Sequence, residues 1–107
     1  MVTQDTYRKL ALALPDVEEA PHFDKRSFRW RNKIFATLWM PENRAMLKLS
    51  LIDQSVFCVF DAAIIYPVPN AWGKQGATFV ELSLVHEDMF TDALNCAYQN
   101  LVNKGKK

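Results

Sequence analysis

The sequence predicts an α+β domain in which an antiparallel sheet carries helices at both chain ends. Three observations carry that expectation. Apolar residues recur at helical spacing near the start (Tyr7, Leu10, Ala11, Leu14) and again from Glu87 to Asn103. Between these stretches, short runs rich in β-branched and aromatic residues are separated by Asn, Pro and Gly. The chain has 107 residues, half of them hydrophobic, which is enough for one packed core and too few for two. Residues 1–107 are therefore read as a single domain.

The first helix is expected from Thr3 to Leu14. Thr3 can cap it, Asp5 suits the positive end of its dipole, and Pro15 stops it. Residues 15–21 read as an acidic loop. Strand runs follow at Arg26–Trp30, Ile34–Trp39 and Ala45–Leu49, an antiparallel meander. Arg31-Asn32-Lys33 turns the chain, with Asn32 the residue that best tolerates a left-handed backbone, and Pro41-Glu42-Asn43-Arg44 makes the next turn. Ser50 can cap a second helix over Leu51–Phe60. Ile64–Tyr66 reads as a short strand. Pro67, Pro69, Asn70, Gly73 and Gly76 then mark a long irregular loop. A strand at Thr78–Leu84 leads to the last helix, whose stripe includes Phe90, Ala93, Leu94, Ala97, Tyr98 and Leu101.

Net charge is +1, so any charge-driven contact must come from local clustering. The clustering lies in Lys25, Arg26, Arg29, Arg31 and Lys33, which are five of the thirteen cations. On a strand, Lys25, Ser27, Arg29 and Arg31 alternate onto one face, while Arg26, Phe28 and Trp30 point the other way toward the core. The tail Lys104-Gly105-Lys106-Lys107 is a second, short basic run of the kind that solubilises a chain end. Cys58 and Cys96 are far apart inside helical patterns and read as free thiols. No secretory leader and no membrane-length apolar run is visible, and a cytoplasmic location is expected.

His22-Phe23, Ser27-Phe28-Arg29, Lys33-Ile34-Phe35-Ala36-Thr37 and Ala71-Trp72-Gly73-Lys74-Gln75-Gly76, with Asp92-Ala93-Leu94 in the closing helix, together resemble the MmcQ/YjbR family over nearly the whole chain. The resemblance implies a small bacterial protein with a CyaY-like fold and a double-wing motif predicted to bind DNA. Two positions depart from the family pattern: Ala77 stands where relatives often carry a large aromatic, and Asn32 where they often carry glycine.

No catalytic spacing accompanies these motifs. His22 has Asp24 two residues on but no nucleophile, and two distant histidines with two lone cysteines make no metal set. The expected function is therefore non-enzymatic, without cofactor or metal. It is weak, sequence-tolerant DNA binding by an accessory or regulatory protein, using Lys25, Arg29, Arg31, Lys33, Trp72 and Lys74. The alternative is a small-molecule or protein-interaction module with a pocket near Trp72. A third reading is an acidic metal-binding face built from Glu18, Glu19 and Asp24. The first requires Lys25, Arg29, Arg31, Lys33 and Lys74 to merge into one patch. The second requires a concave apolar site beside Trp72, and the third requires its carboxylates to converge.

Overall fold

The computed structural model describes residues 1–22 and 24–105. Phe23 of the His22-Phe23 motif and Lys106 and Lys107 of the basic tail lie outside the described residues. The elements run α1 (Gln4–Leu12), β1 (Val17–His22), β2 (Lys25–Trp30), β3 (Lys33–Trp39), β4 (Arg44–Lys48), α2 (Leu51–Phe60), β5 (Ile65–Pro67), α3 (Ala71–Lys74), β6 (Ala77–Glu81) and α4 (Glu87–Gly105). The six strands form one sheet in the order β1-β2-β3-β4-β6-β5, antiparallel throughout.

The expected class holds, and so do both predicted caps. Thr3 Oγ1 accepts from the Thr6 amide at 3.1 Å and Ser50 Oγ from the Asp53 amide at 3.1 Å. Other expectations are corrected. Residues 17–22 are not a loop but an edge strand, and the segment after Pro67 contains the one-turn helix α3, capped by Asn70 through its bond from the Trp72 amide. The first helix ends at Leu12 rather than Leu14, and β6 ends at Glu81 rather than Leu84. Arg31 does not continue a strand face. It forms a two-residue turn with Asn32, at φ of 51° and 66°, and Lys33 already pairs with Trp30.

One face of the sheet is covered by α1 and α4. Phe28, Ala36, Leu38, Ala45, Leu47 and Val80 supply its buried floor. Tyr7 on α1 joins the layers, with its ring centroid 5.0 Å from Phe28 and 4.9 Å from Phe90 of α4. Its hydroxyl donates to the Thr37 carbonyl at 2.9 Å. Burial pushes the Tyr7 pKa well above its ordinary value. The register of β2 and β3 shifts between Phe28 and Arg29, and Phe35 is the extra residue of the resulting bulge. Phe35 and Ala36 are consequently both fully buried, and Phe35 meets Tyr98 of α4 edge to face at 5.7 Å.

Both edges of the sheet contain a proline: Pro21 in β1 and Pro67 in β5. The excursion between β4 and β6 is pinned by Gln54 of α2. Its buried amide donates to the carbonyls of Gly73 and Ala77 and to Thr78 Oγ1, at 2.9, 3.2 and 3.1 Å.

Candidate functional site

The sheet face opposite α1 and α4 is built in cross-strand rows. Register pairs His22 with Lys25 and aligns Trp39, Arg44 and Glu81, and Lys25 reaches over the Trp39 ring to join the two. Ala20, Ser27, Thr37, Met46, Phe79 and Tyr66 form the next. The β1–β2 hairpin stands at one side of this face and the segment carrying α3 at the other. Between them lies a groove of about 520 Å³. His22 and Lys25 line one wall, and Val68, Asn70 and Trp72 line the other. Ile34, Thr37, Trp39, Met46, Lys48 and Ala77 complete the lining.

Backbone constraints place Trp72. Asn70 adopts φ of 125° to start α3, and Gly73 sits so close to the preceding chain that a Cβ there would lie 1.8 Å from the Val68 carbonyl oxygen. That close approach folds α3 back over the sheet and leaves Trp72 63 % exposed at the groove wall. Gly76, at φ of 108°, closes the same segment, where a Cβ would lie 2.0 Å from the Leu49 oxygen.

Trp39 forms the centre of a cation–aromatic array. Lys25 Nζ lies 4.3 Å from its ring centroid and the Arg44 guanidinium 5.1 Å from it. Its indole Nε1 donates to Thr37 Oγ1 at 2.9 Å, and Phe79 meets it edge to face at 4.8 Å. Arg44 also lies 4.0 Å over Phe79 and donates to the Tyr66 hydroxyl at 3.4 Å, and that hydroxyl is hydrogen-bonded to Glu81 Oε2. Burial raises the Tyr66 pKa, and the bond to Glu81 adds to the rise against the lowering effect of Arg44. Lys25 is also 3.1 Å from Asp24 Oδ1, and its hydrogen bond holds the Asp24 carboxyl below the usual range. No carboxylate is among the described residues that line the groove; its ammonium groups are Lys48 and Lys25, the latter paired with Asp24 beside the groove.

The structure brings Lys25 and Trp72 together across this groove. The other sequence candidates stand outside its lining. Arg29 shares the open face, and its Nε donates to Ser27 Oγ at 3.0 Å. Arg31 stacks on Trp30, 4.6 Å from the ring centroid, and with Asp16, Glu18 and Asn32 lines a separate small cleft. Lys33 pairs with Trp30 at the foot of the turn, and Lys74 is exposed at the end of α3. Trp39, Met46 and Lys48 were not among the candidates. Their signal was present in the alternation of Met46 and Lys48 with the buried Leu47 and Leu49, but which wall they face depends on strand order.

Glu18 and Glu19 point to opposite faces of β1. Glu19 accepts from Arg8 Nε at 3.1 Å and from Arg26 Nε at 2.7 Å on the helix side. Burial alone would raise its pKa, but the bonds from Arg26 and Arg8 outweigh it and hold the carboxyl below its ordinary value. Among the described residues, no group of three or more His, Cys, Asp or Glu converges in a way that could hold a metal ion. Cys58 and Cys96 are free and half-buried. No described helix is long and apolar enough to cross a membrane.

Comparison with known proteins agrees with this architecture. The YjbR family model matches residues 12–100, and the chain belongs to the YjbR family. The crystal structure of a Deinococcus radiodurans protein with a DUF419 domain superposes with a TM-score of 0.85 at 20 % identity, covering 98 % of this chain and 82 % of that one. That likeness establishes the fold. No curated protein matches the sequence.

Proposed function

We propose that this member of the YjbR family is a non-catalytic binding protein whose open sheet face takes a small, flat anion. One observation carries the reading: two indoles, Trp39 and Trp72, and two ammonium groups, Lys48 and the Asp24-paired Lys25, line a single groove with no carboxylate among its described lining residues. Its volume is within the range of roughly 300–1,000 Å³ that small-molecule sites occupy. Ile34 and Met46 give it apolar surface, the indoles suit a planar body, and the ammonium groups suit a carboxylate or phosphate. Thr37, the one hydroxyl among the described lining residues, accepts from Trp39 Nε1. Free Cys58 and Cys96 fit the cytoplasmic setting expected for such a protein.

The test is titration of the intrinsic tryptophan fluorescence with adenosine monophosphate, adenosine and inorganic phosphate. The nucleotide should quench at concentrations where neither half does. Trp72→Ala and Lys48→Ala should each weaken that binding by about tenfold, the worth of roughly 1.4 kcal/mol. Absence of quenching by the nucleotide and by planar aromatic carboxylates overturns the reading.

Weak, sequence-tolerant DNA binding is a second reading, favoured by one observation: Lys25, Arg29 and Lys48 share the open face with Trp39 and Trp72. A single strand stacking on these rings and neutralising about three phosphates would show a log–log salt slope of roughly −2. Binding unaffected by Trp72→Ala would exclude the groove as its seat.

A further inference from the structure

Helix α2 carries apolar residues on its inner and its outer side. Gln54, Phe57 and Cys58 face the domain. On the outside, Leu51, Ile52, Val56, Val59 and Phe60 are 58, 76, 51, 84 and 65 % exposed. Ile52, Val56 and Val59 follow the i, i+4, i+7 spacing of residues that make a helix–helix seam. Ser55, the one polar residue in this outer stripe, turns its hydroxyl back to the Ile52 carbonyl at 2.9 Å. These five side chains expose on the order of 500 Å² of apolar surface, in the upper part of the roughly 300–600 Å² that the largest patch on a monomer covers. That is over half of the roughly 800 Å² each partner contributes to a standard interface. The only charge on α2, Asp53, is half-buried in its first turn, and there is no cation to draw the helix to an anionic lipid surface.

We propose that a second copy of this chain covers α2, the two helices packing antiparallel about a two-fold axis near Val56. A two-fold interface sets each surface against itself, and an uncharged stripe does so without like-charge repulsion. The geometry supplies a hole as well as a knob. At the C-terminal end of α2, Phe60, Ile64, Ile65, Val85 and Met89, with Asp61 and His86 at the same site, line a mostly apolar cavity of about 230 Å³. Antiparallel pairing centred on Val56 lays the partner's Ile52 beside Phe60, at the mouth of that cavity. The groove lies on the open sheet face and is left free, so this inference is independent of the ligand proposal.

Sedimentation equilibrium of the full chain from micromolar to millimolar concentration tests it. The expected mass is that of two 12.3 kDa chains. Val59→Glu, at an exposed position, should keep the wild-type circular dichroism and denaturation midpoint of the monomer. It should raise the dissociation constant by at least about tenfold, and a Val59→Glu variant that pairs as tightly as wild type overturns the interface. Val56→Cys should form a cross-linked dimer on mild oxidation that the wild type does not form, and a dimer that resists this cross-link overturns the antiparallel arrangement. A wild type that stays monomeric at millimolar concentration overturns the proposal. So does a monomer that binds phosphatidylserine vesicles and loses that binding in Ile52→Glu.

Discussion

The two faces of the sheet use the same strands and meet opposite fates. On the helix side, Phe28, Leu47 and Val80 lie within a hydrophobic core closed by Tyr7, Phe90 and Tyr98. On the open side, the alternate residues Lys25, Trp39, Met46 and Lys48 are cations and large, partly exposed side chains around a groove. A strand alternates its side chains regardless of purpose. The residue types set on each side differ, and that difference separates a surface that stabilises the fold from one that presents chemistry.

Substitutions on the two faces should therefore differ in kind. Phe28→Ala, on the helix face, should cost about 3–5 kcal/mol by chemical denaturation, since it opens a cavity against Tyr7 and Ala36. A shift under 1 kcal/mol would mean the core can collapse around the vacancy. Gly73→Ala should cost about 1–3 kcal/mol through its clash with Val68. It should also displace Trp72, seen as a change in tryptophan emission, and so connect stability to the open face. Glu19→Gln, at the sheet edge on the helix side, should cost about 1–2 kcal/mol at pH 7, because Arg8 and Arg26 are partly exposed and screened.

The Glu19 effect has a definite pH sign. Its folded-state pKa is depressed, so the stabilisation is fully present above the unfolded-state value, about 4.3. It is lost as pH falls through the lower folded-state value. The gap between wild type and Glu19→Gln should close on acidification below about pH 4, and a gap that persists at pH 2 would assign the cost to packing instead. Lys48→Ala, on the open face, should change stability by less than about 0.5 kcal/mol, with its effect confined to ligand binding.

Much of this was readable in the residues. The stripe of α4, the caps at Thr3 and Ser50, and the turn at Asn32 all follow from local chemistry, and local chemistry decided them. β1 was hidden because its sequence is that of an edge strand: Glu18, Glu19 and Pro21 interrupt any apolar alternation, and Glu19 turns inward only because Arg8 and Arg26 receive it. α3 was hidden because a one-turn helix has no period to detect; its evidence lies in Asn70 as a cap and in the space denied at Gly73. Of the groove, Lys25 and Trp72 were identified while Trp39 and Lys48 were not. The cationic hairpin drew attention to sequence neighbours, whereas the groove is assembled across β3, β4 and β6 by a strand order that adjacency does not reveal.

The prolines at the two sheet edges have a consequence for aggregation. An edge strand recruits another chain through its unpaired amides, and proline has none. β1 is interrupted by Pro21, and β5 is three residues long and ends in Pro67. Pro21 limits β1 to four continuous edge residues and β5 is three residues long, so both margins are poor templates for a seventh strand.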